Sequence, residues 1–439
     1  MTSPTSTERP AAERAATVPE ASPAPVRGRR RVPGWLIGAV AVAVVACLPL
    51  LNLPLPGVLP GPTYMPGSLH LMALCMVFAA LALSYHLLYG VAGMLSFGHA
   101  LYFAAGAYGL AVLLDRTDMP LLVAAAVALG AAILLATVVG AVSLRVSGVS
   151  FAMVTLAFAQ AGNVLARRNP QGVTGGEEGI GLATANVPGA LVGVVNTRNM
   201  FWVALASLVV VYVVVTWVQR SRAGHVVEAT RENEMRVRVI GQPPYLIRLL
   251  TFVIAGTLAA VVGMVYLLLQ SQAVPTITSA DFTIQALIMV VLGGVGSRWG
   301  AVVGAVVYTL LDQRLSVLAG SDLVESLPTI LHVPLSEPAF ILGVLFILVV
   351  LFMPGGIAGG TRRLTGRRRG PAGPATASWM GRRGAVAGAD GACGARIGPA
   401  AAGDRAETRW QLPRLVVAHP RASFTWCTPG RSARGREPR

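Results

Sequence analysis

The sequence predicts an all-α polytopic membrane protein, a bundle of about ten transmembrane helices (eight is the alternative count) with a further helix held outside the membrane. Three observations predict it. Hydrophobic residues make up 54% of the 439 and charged residues only 12%, against roughly a quarter charged in soluble domains. Apolar runs approaching or exceeding the spanning length of about twenty helical residues recur between residues 35 and 352. A polar island, residues 219–248 (QRSRAGHVVEATRENEMRVRVIGQPPYLIR), interrupts them.

The net charge of +16 belongs to the ends of the chain. Residues 1–34 carry six Arg against three Glu, and residues 361–439 carry sixteen Arg against four acids. These tails contribute +3 and +12 and leave +1 for residues 35–360, so the basic charge marks no nucleic-acid-binding domain. Both tails, rich in Pro and in Ala or Gly, are expected to be disordered. The chain contains no Lys, which excludes a P-loop ATPase. Cys47, Cys75, Cys393 and Cys427 lack metal-ligand spacing. Neither a catalytic residue nor a metal site is expected, and the chain itself needs no cofactor.

Taken in order, Arg27, Arg29, Arg30 and Arg31 precede a first span at 35–53 and place the N-terminus in the cytoplasm. Spans two and three follow at 69–89 and 96–114, joined by a Gly-rich stretch that suggests a break. The fourth covers 121–144, the fifth starts near 149, and a polar segment at 167–199 precedes the sixth, 201–218. Beyond the island come 249–269, a short run at 284–295, 301–318 and 340–352. An even count puts both ends inside, together with the island, Arg145 and Arg298. The acidic turn with Asp322, Glu325 and Glu337 falls outside, and Arg167 and Arg168 break the pattern. Small residues four apart (Ala100/Ala104, Ala126/Gly130, Ala136/Gly140, Gly300/Gly304) are packing seams.

Within the island, residues 226–240 read as one amphipathic helix. Val226, Ala229 or Thr230, Asn233, Val237 and Ile240 share a face. Glu232 with Arg236 and Glu234 with Arg238 are favourable four-residue pairs, and Gly241 before two prolines ends the helix. Such a helix is suited to docking another protein, although a solvated connecting loop would share its composition. Among polar residues within the spans, Ser96, His99, Thr155 and Gln160 are the candidates for a substrate pathway. For His99 a hydrogen bond between helices is the competing role.

Six stretches, GVAGMLSFGHALYFAAGAY, RVSGVSFAMVTLAFAQ, VTGGEEGIG, ATRENEMRVRVIG, VLGGVGSRWGAVVGA and LFMPGGIAG, occur in this order. Together they resemble the permease subunits of bacterial ABC importers for branched-chain amino acids, specifically the M-type of the paired Liv permeases. The resemblance implies that the island is a coupling loop docked on an ATPase, through Val226, Ala229, Glu232, Asn233, Glu234, Val237, Ile240 and Gly241. It departs from the family in Met235 to Val239, where alanines are usual, and in Arg248, where Lys is usual. Gly175 and Gly176, with Gly293 and Gly294, are structural glycines of its motifs. It also implies a second permease subunit of the H-type, two ABC ATPase subunits that bind the ATP, an extracytoplasmic binding protein, and a place in the plasma membrane. Permeases for urea or short amides share these motifs and are the alternative. An ion-coupled secondary transporter would need acids within its spans, which are nearly absent here.

Overall fold

The structure, a computed structural model, describes residues 34–51, 61–191, 193, 196–319, 338–352 and 355–359. The two tails, the acidic turn with Asp322, Glu325 and Glu337, and part of the Pro-rich segment after the first helix lie outside the described residues. Among the described residues twelve α-helices follow one another: α1 Gly34–Cys47, α2 Pro66–His86, α3 His99–Arg116, α4 Leu121–Ser143, α5 Val149–Arg168, α6 Thr197–Arg220, α7 Arg222–Glu232, α8 Glu234–Val239, α9 Pro244–Gln270, α10 Ala280–Gly293, α11 Arg298–Ala319 and α12 Pro338–Phe352. The chain is thus an all-α polytopic membrane protein. Among the described residues five helices are long and apolar enough to cross a membrane, or six if α10 and α11 form one broken span.

Helix α2 is the axis of the bundle. Of its apolar window 89% is buried, against 28% for α4 at the periphery. It packs on α6, α9, α10 and α11, while α9 packs on α3 and α4. The burial of α4 follows small residues, with Ala124, Ala128, Ala132, Ala136 and Gly140 turned inward at four-residue steps. This confirms the seam at Ala136/Gly140 but not at Ala126/Gly130, both of which are exposed. Residues four apart return to nearly the same face, so a seam read two residues out of register points away from the core.

Several predicted spans change shape. The first ends at Cys47 and passes into a 3-10 turn at Leu48–Leu50, where Pro49 cannot extend the helix. The runs at 284–295 and 301–318, predicted as two spans, are a helix pair bent by 119°. With 14 residues, α10 rises only about 21 Å, short of a hydrocarbon core of about 30 Å. Close backbone contact holds the bend. A Cβ on Gly293 would stand 1.8 Å from the Gly300 carbonyl oxygen, and one on Gly304 would stand 2.2 Å from that of Met289. Gly294, at φ 109°, carries the chain out of α10. At the opposite end from α7 and α8, a two-residue antiparallel ladder joins Ile180–Gly181 (β1) to Gln272–Ala273 (β2). Gly175 and Gly176, both with left-handed backbone, shape the loop that leads into β1.

Candidate functional site

Helix α2 does not run into α3. It widens into a π-turn at Leu87–Val91, and the chain then leaves helical geometry until α3 begins at His99. Irregular backbone inside an apolar bundle needs partners for every amide and carbonyl, because lipid supplies none. Side chains of three neighbouring helices supply several of them here. Tyr85 Oη on α2 donates to the Ser96 carbonyl at 3.0 Å. The Phe97 amide donates to Thr155 Oγ1 on α5 at 3.2 Å, and the Ala100 amide to Thr283 Oγ1 on α10 at 3.1 Å. Ser96 Oγ accepts from the Gly98 amide at 3.2 Å, and Ser96 and Thr155 are fully buried.

His99, 1% exposed, opens α3 beneath this segment. Its Nε2 lies 2.9 Å from Ser84 Oγ on α2, and the ring packs edge-on against Tyr85. Its Nδ1 has no hydrogen-bond partner among the described residues. Ser84 sits six residues before Gly90, about 9 Å along a helix, so the chain doubles back into the bundle before α3 starts. Three of the four polar residues singled out in the sequence, Ser96, His99 and Thr155, therefore meet at one break. Gln160 does not, for it is exposed on the outer face of α5.

Sequence reasoning missed Ser84 and Thr283, which complete the break, and Asn163. The Asn163 amide, on α5, donates to Thr278 Oγ1 at 2.7 Å and to the Pro275 carbonyl at 3.2 Å, fixing the turn before α10. All three are polar residues in apolar runs, which was the available signal, but residue type alone does not say which of them converge.

The polar island differs from the single helix predicted over 226–240. It forms α7 and α8, broken at Asn233, whose backbone is extended at φ −157° and ψ 100°. Asn233 caps α8, its Oδ1 accepting from the Arg236 amide at 3.1 Å, a residue type favoured at that position. The break also removes the continuous helix that a Glu232–Arg236 pair requires, and that pair is absent among the described residues. Glu234 does meet Arg238, at 3.1 Å, and also reaches Arg248 on α9 at 2.8 Å.

The expected anchor face is split as well. Val237 is 5% exposed and belongs to the core of its own chain, and Val226 is half-buried. Ala229, Glu232, Asn233 and Ile240 are exposed. With the helix broken, the large apolar side chains left open along α8 and its C-cap are Met235, Val239 and Ile240. Gly241, at φ 85°, turns the chain toward α9.

Bundle, break and polar island together define a multi-pass helical membrane protein of the permease class. The sequence model of the family described as branched-chain amino acid transport system / permease component matches residues 68–353, and the chain belongs to that family. It is 27% identical over 277 residues to the high-affinity branched-chain amino acid transport system permease protein LivM of Salmonella typhimurium. It is 26% identical over 281 residues to LivM of Escherichia coli. Each alignment covers 57% of this chain and 64% of the relative, so the chain spans under two thirds of the length of these relatives. A probable branched-chain amino acid transport permease protein LivM of Methanocaldococcus jannaschii is 25% identical over 182 residues, 40% of this chain and 51% of the relative.

Proposed function

We propose that the chain is the transmembrane subunit of an ATP-driven importer for branched-chain amino acids, residing in the plasma membrane with both termini and the polar island in the cytoplasm. A binding protein delivers the amino acid outside, a second permease subunit completes the pathway, and two ATPase subunits supply the ATP chemistry. The permease makes and breaks no covalent bond. It moves its cargo by offering different affinities in two states, and the Ser96–His99–Thr155 break is the segment whose rearrangement opens or shuts the path.

The observation that carries this reading is the two-sidedness of the island. Met235, Val239 and Ile240 stand open at its outer surface, while Val227, Thr230 and Val237 are buried against the bundle. An exposed apolar cluster among charges suits helix-in-groove recognition by a soluble partner. The test is Met235→Asp with Val239→Asp in one chain. A buried anchor of this kind contributes about 2 kcal/mol, so ATPase co-purification should fall roughly thirtyfold and ATP-driven leucine uptake into vesicles with it, at unchanged membrane abundance. Retained co-purification and uptake would remove the island from docking. Uptake competed by urea and not by isoleucine would assign the substrate to the short amides.

A further inference from the structure

The last carbonyls of a helix have no partner within it, and in the π-turn that follows α2 three carbonyls find one. The Leu87 and Leu88 carbonyls receive the amides of Ala92 and Met94 at 3.3 and 3.1 Å. The Gly90 carbonyl receives Nη1 of Arg231, which arrives from α7. The stem of the same arginine lies on Gly93, where a Cβ would stand 2.7 Å from Arg231 Cγ and 3.0 Å from Cδ. Gly93 also has φ +69°, a backbone that favours glycine. One side chain of the polar island thus grips the chain on both sides of the point where the π-turn stops. Three to seven residues after Gly93 come the groups held by Tyr85, Thr155, Ser84 and Thr283.

We propose that Arg231 is a positioning residue for transport: it joins the ATPase-docking helices to the break between α2 and α3, so that a displacement of α7 resets residues 91–99. The proposal rests on the function put forward above. A contact transmits a change of state only if its free energy differs between the states. This one is suited to that, because Arg231 is exposed and no carboxylate pairs with it among the described residues. Its guanidinium can exchange the Gly90 carbonyl for water. A cation beside helix-terminal carbonyls is favourable in the docked geometry. Crowding makes the junction responsive, since a Cβ on Gly90 would stand 2.3 Å from His86 Nδ1 and 2.7 Å from the Val295 carbonyl oxygen. The end of α2 therefore also abuts the turn between α10 and α11.

The test compares Arg231→Met, which keeps the stem and loses the donors, with Arg231→Lys, which keeps a cationic donor. In the full chain in lipid nanodiscs, amide hydrogen exchange over residues 91–101 should quicken roughly tenfold in Arg231→Met and less in Arg231→Lys, with α4 unchanged. In the complete transporter, amino acid moved per ATP hydrolysed should drop about tenfold in Arg231→Met and recover in part in Arg231→Lys, while ATPase co-purification stays at the level of the unaltered chain. Unchanged exchange over 91–101 overturns the contact. Quickened exchange with an unchanged ratio of amino acid to ATP overturns the transmission. Failure of the unaltered complex to take up any amino acid would overturn the function proposed above, and the exchange measurement would still decide the contact.

Discussion

The Thr155 hydroxyl stands between two backbone groups, accepting from the Phe97 amide at 3.2 Å and donating to the Ala152 carbonyl at 2.9 Å. Thr155→Val keeps the volume and strands the Phe97 amide, at a cost of about 1–3 kcal/mol. Thermal unfolding in detergent should show a lower midpoint for Thr155→Val and a near-unchanged one for Thr155→Ser, and equal midpoints for the two would dismiss the hydroxyl. At this scale the sequence was partly legible. A threonine, a serine and a histidine in apolar runs must find polar partners, and Ser96, His99 and Thr155 do so around one segment. Gln160 obeys the same residue-type argument and yet faces outward, because its direction is set by the rotation of α5 about its axis. Glu234 shows the other limit. Its four-residue partner Arg238 could be read along one helix, whereas the shorter contact with Arg248 comes from a different helix.

Helix–helix approach is controlled most tightly where α10 turns into α11. Gly293→Ala would thrust a methyl group against the Gly300 carbonyl, while Gly296 in the same turn has open space around it. Overpacking of this kind costs about 1–3 kcal/mol or more. Gly293→Ala should therefore lower the yield of folded protein in the membrane several-fold and Gly296→Ala should not, as read by detergent-resistant monomer on size exclusion. Equal yields would show that the bend can relax. The sequence marked this turn through its glycines, but two spans were expected because each run is apolar. The shortness of α10 was the clue, and the 119° bend is a fact of packing between elements. The break at Asn233 was equally open to reading, since Asn followed by Glu is a helix-start signal; the apolar spacing on either side concealed it.

Across the molecule, the loop at 172–181 and the pair α7–α8 lie at opposite ends, separated by the 24 residues of α6, about 36 Å. With the other cysteines replaced, a cysteine at Glu177 should react with an impermeant reagent from outside the cell and one at Met235 should not, and the reverse labelling would invert the proposed orientation. The burial of α2 has a further consequence, for the making of the protein. The helix that ends at the centre is among the first synthesised, and most of its final neighbours, α6, α9, α10 and α11, lie downstream. At about 5–20 residues per second, α2 waits roughly ten seconds or more in lipid before α9 arrives. Until those neighbours arrive much of its surface faces hydrocarbon, so its sequence is apolar on more than one face. That is why no periodicity in residues 66–86 announces a core helix. The β1–β2 ladder closes later still, once Gln272 and Ala273 have emerged, and it ties a loop laid down before α6 to the end of α9.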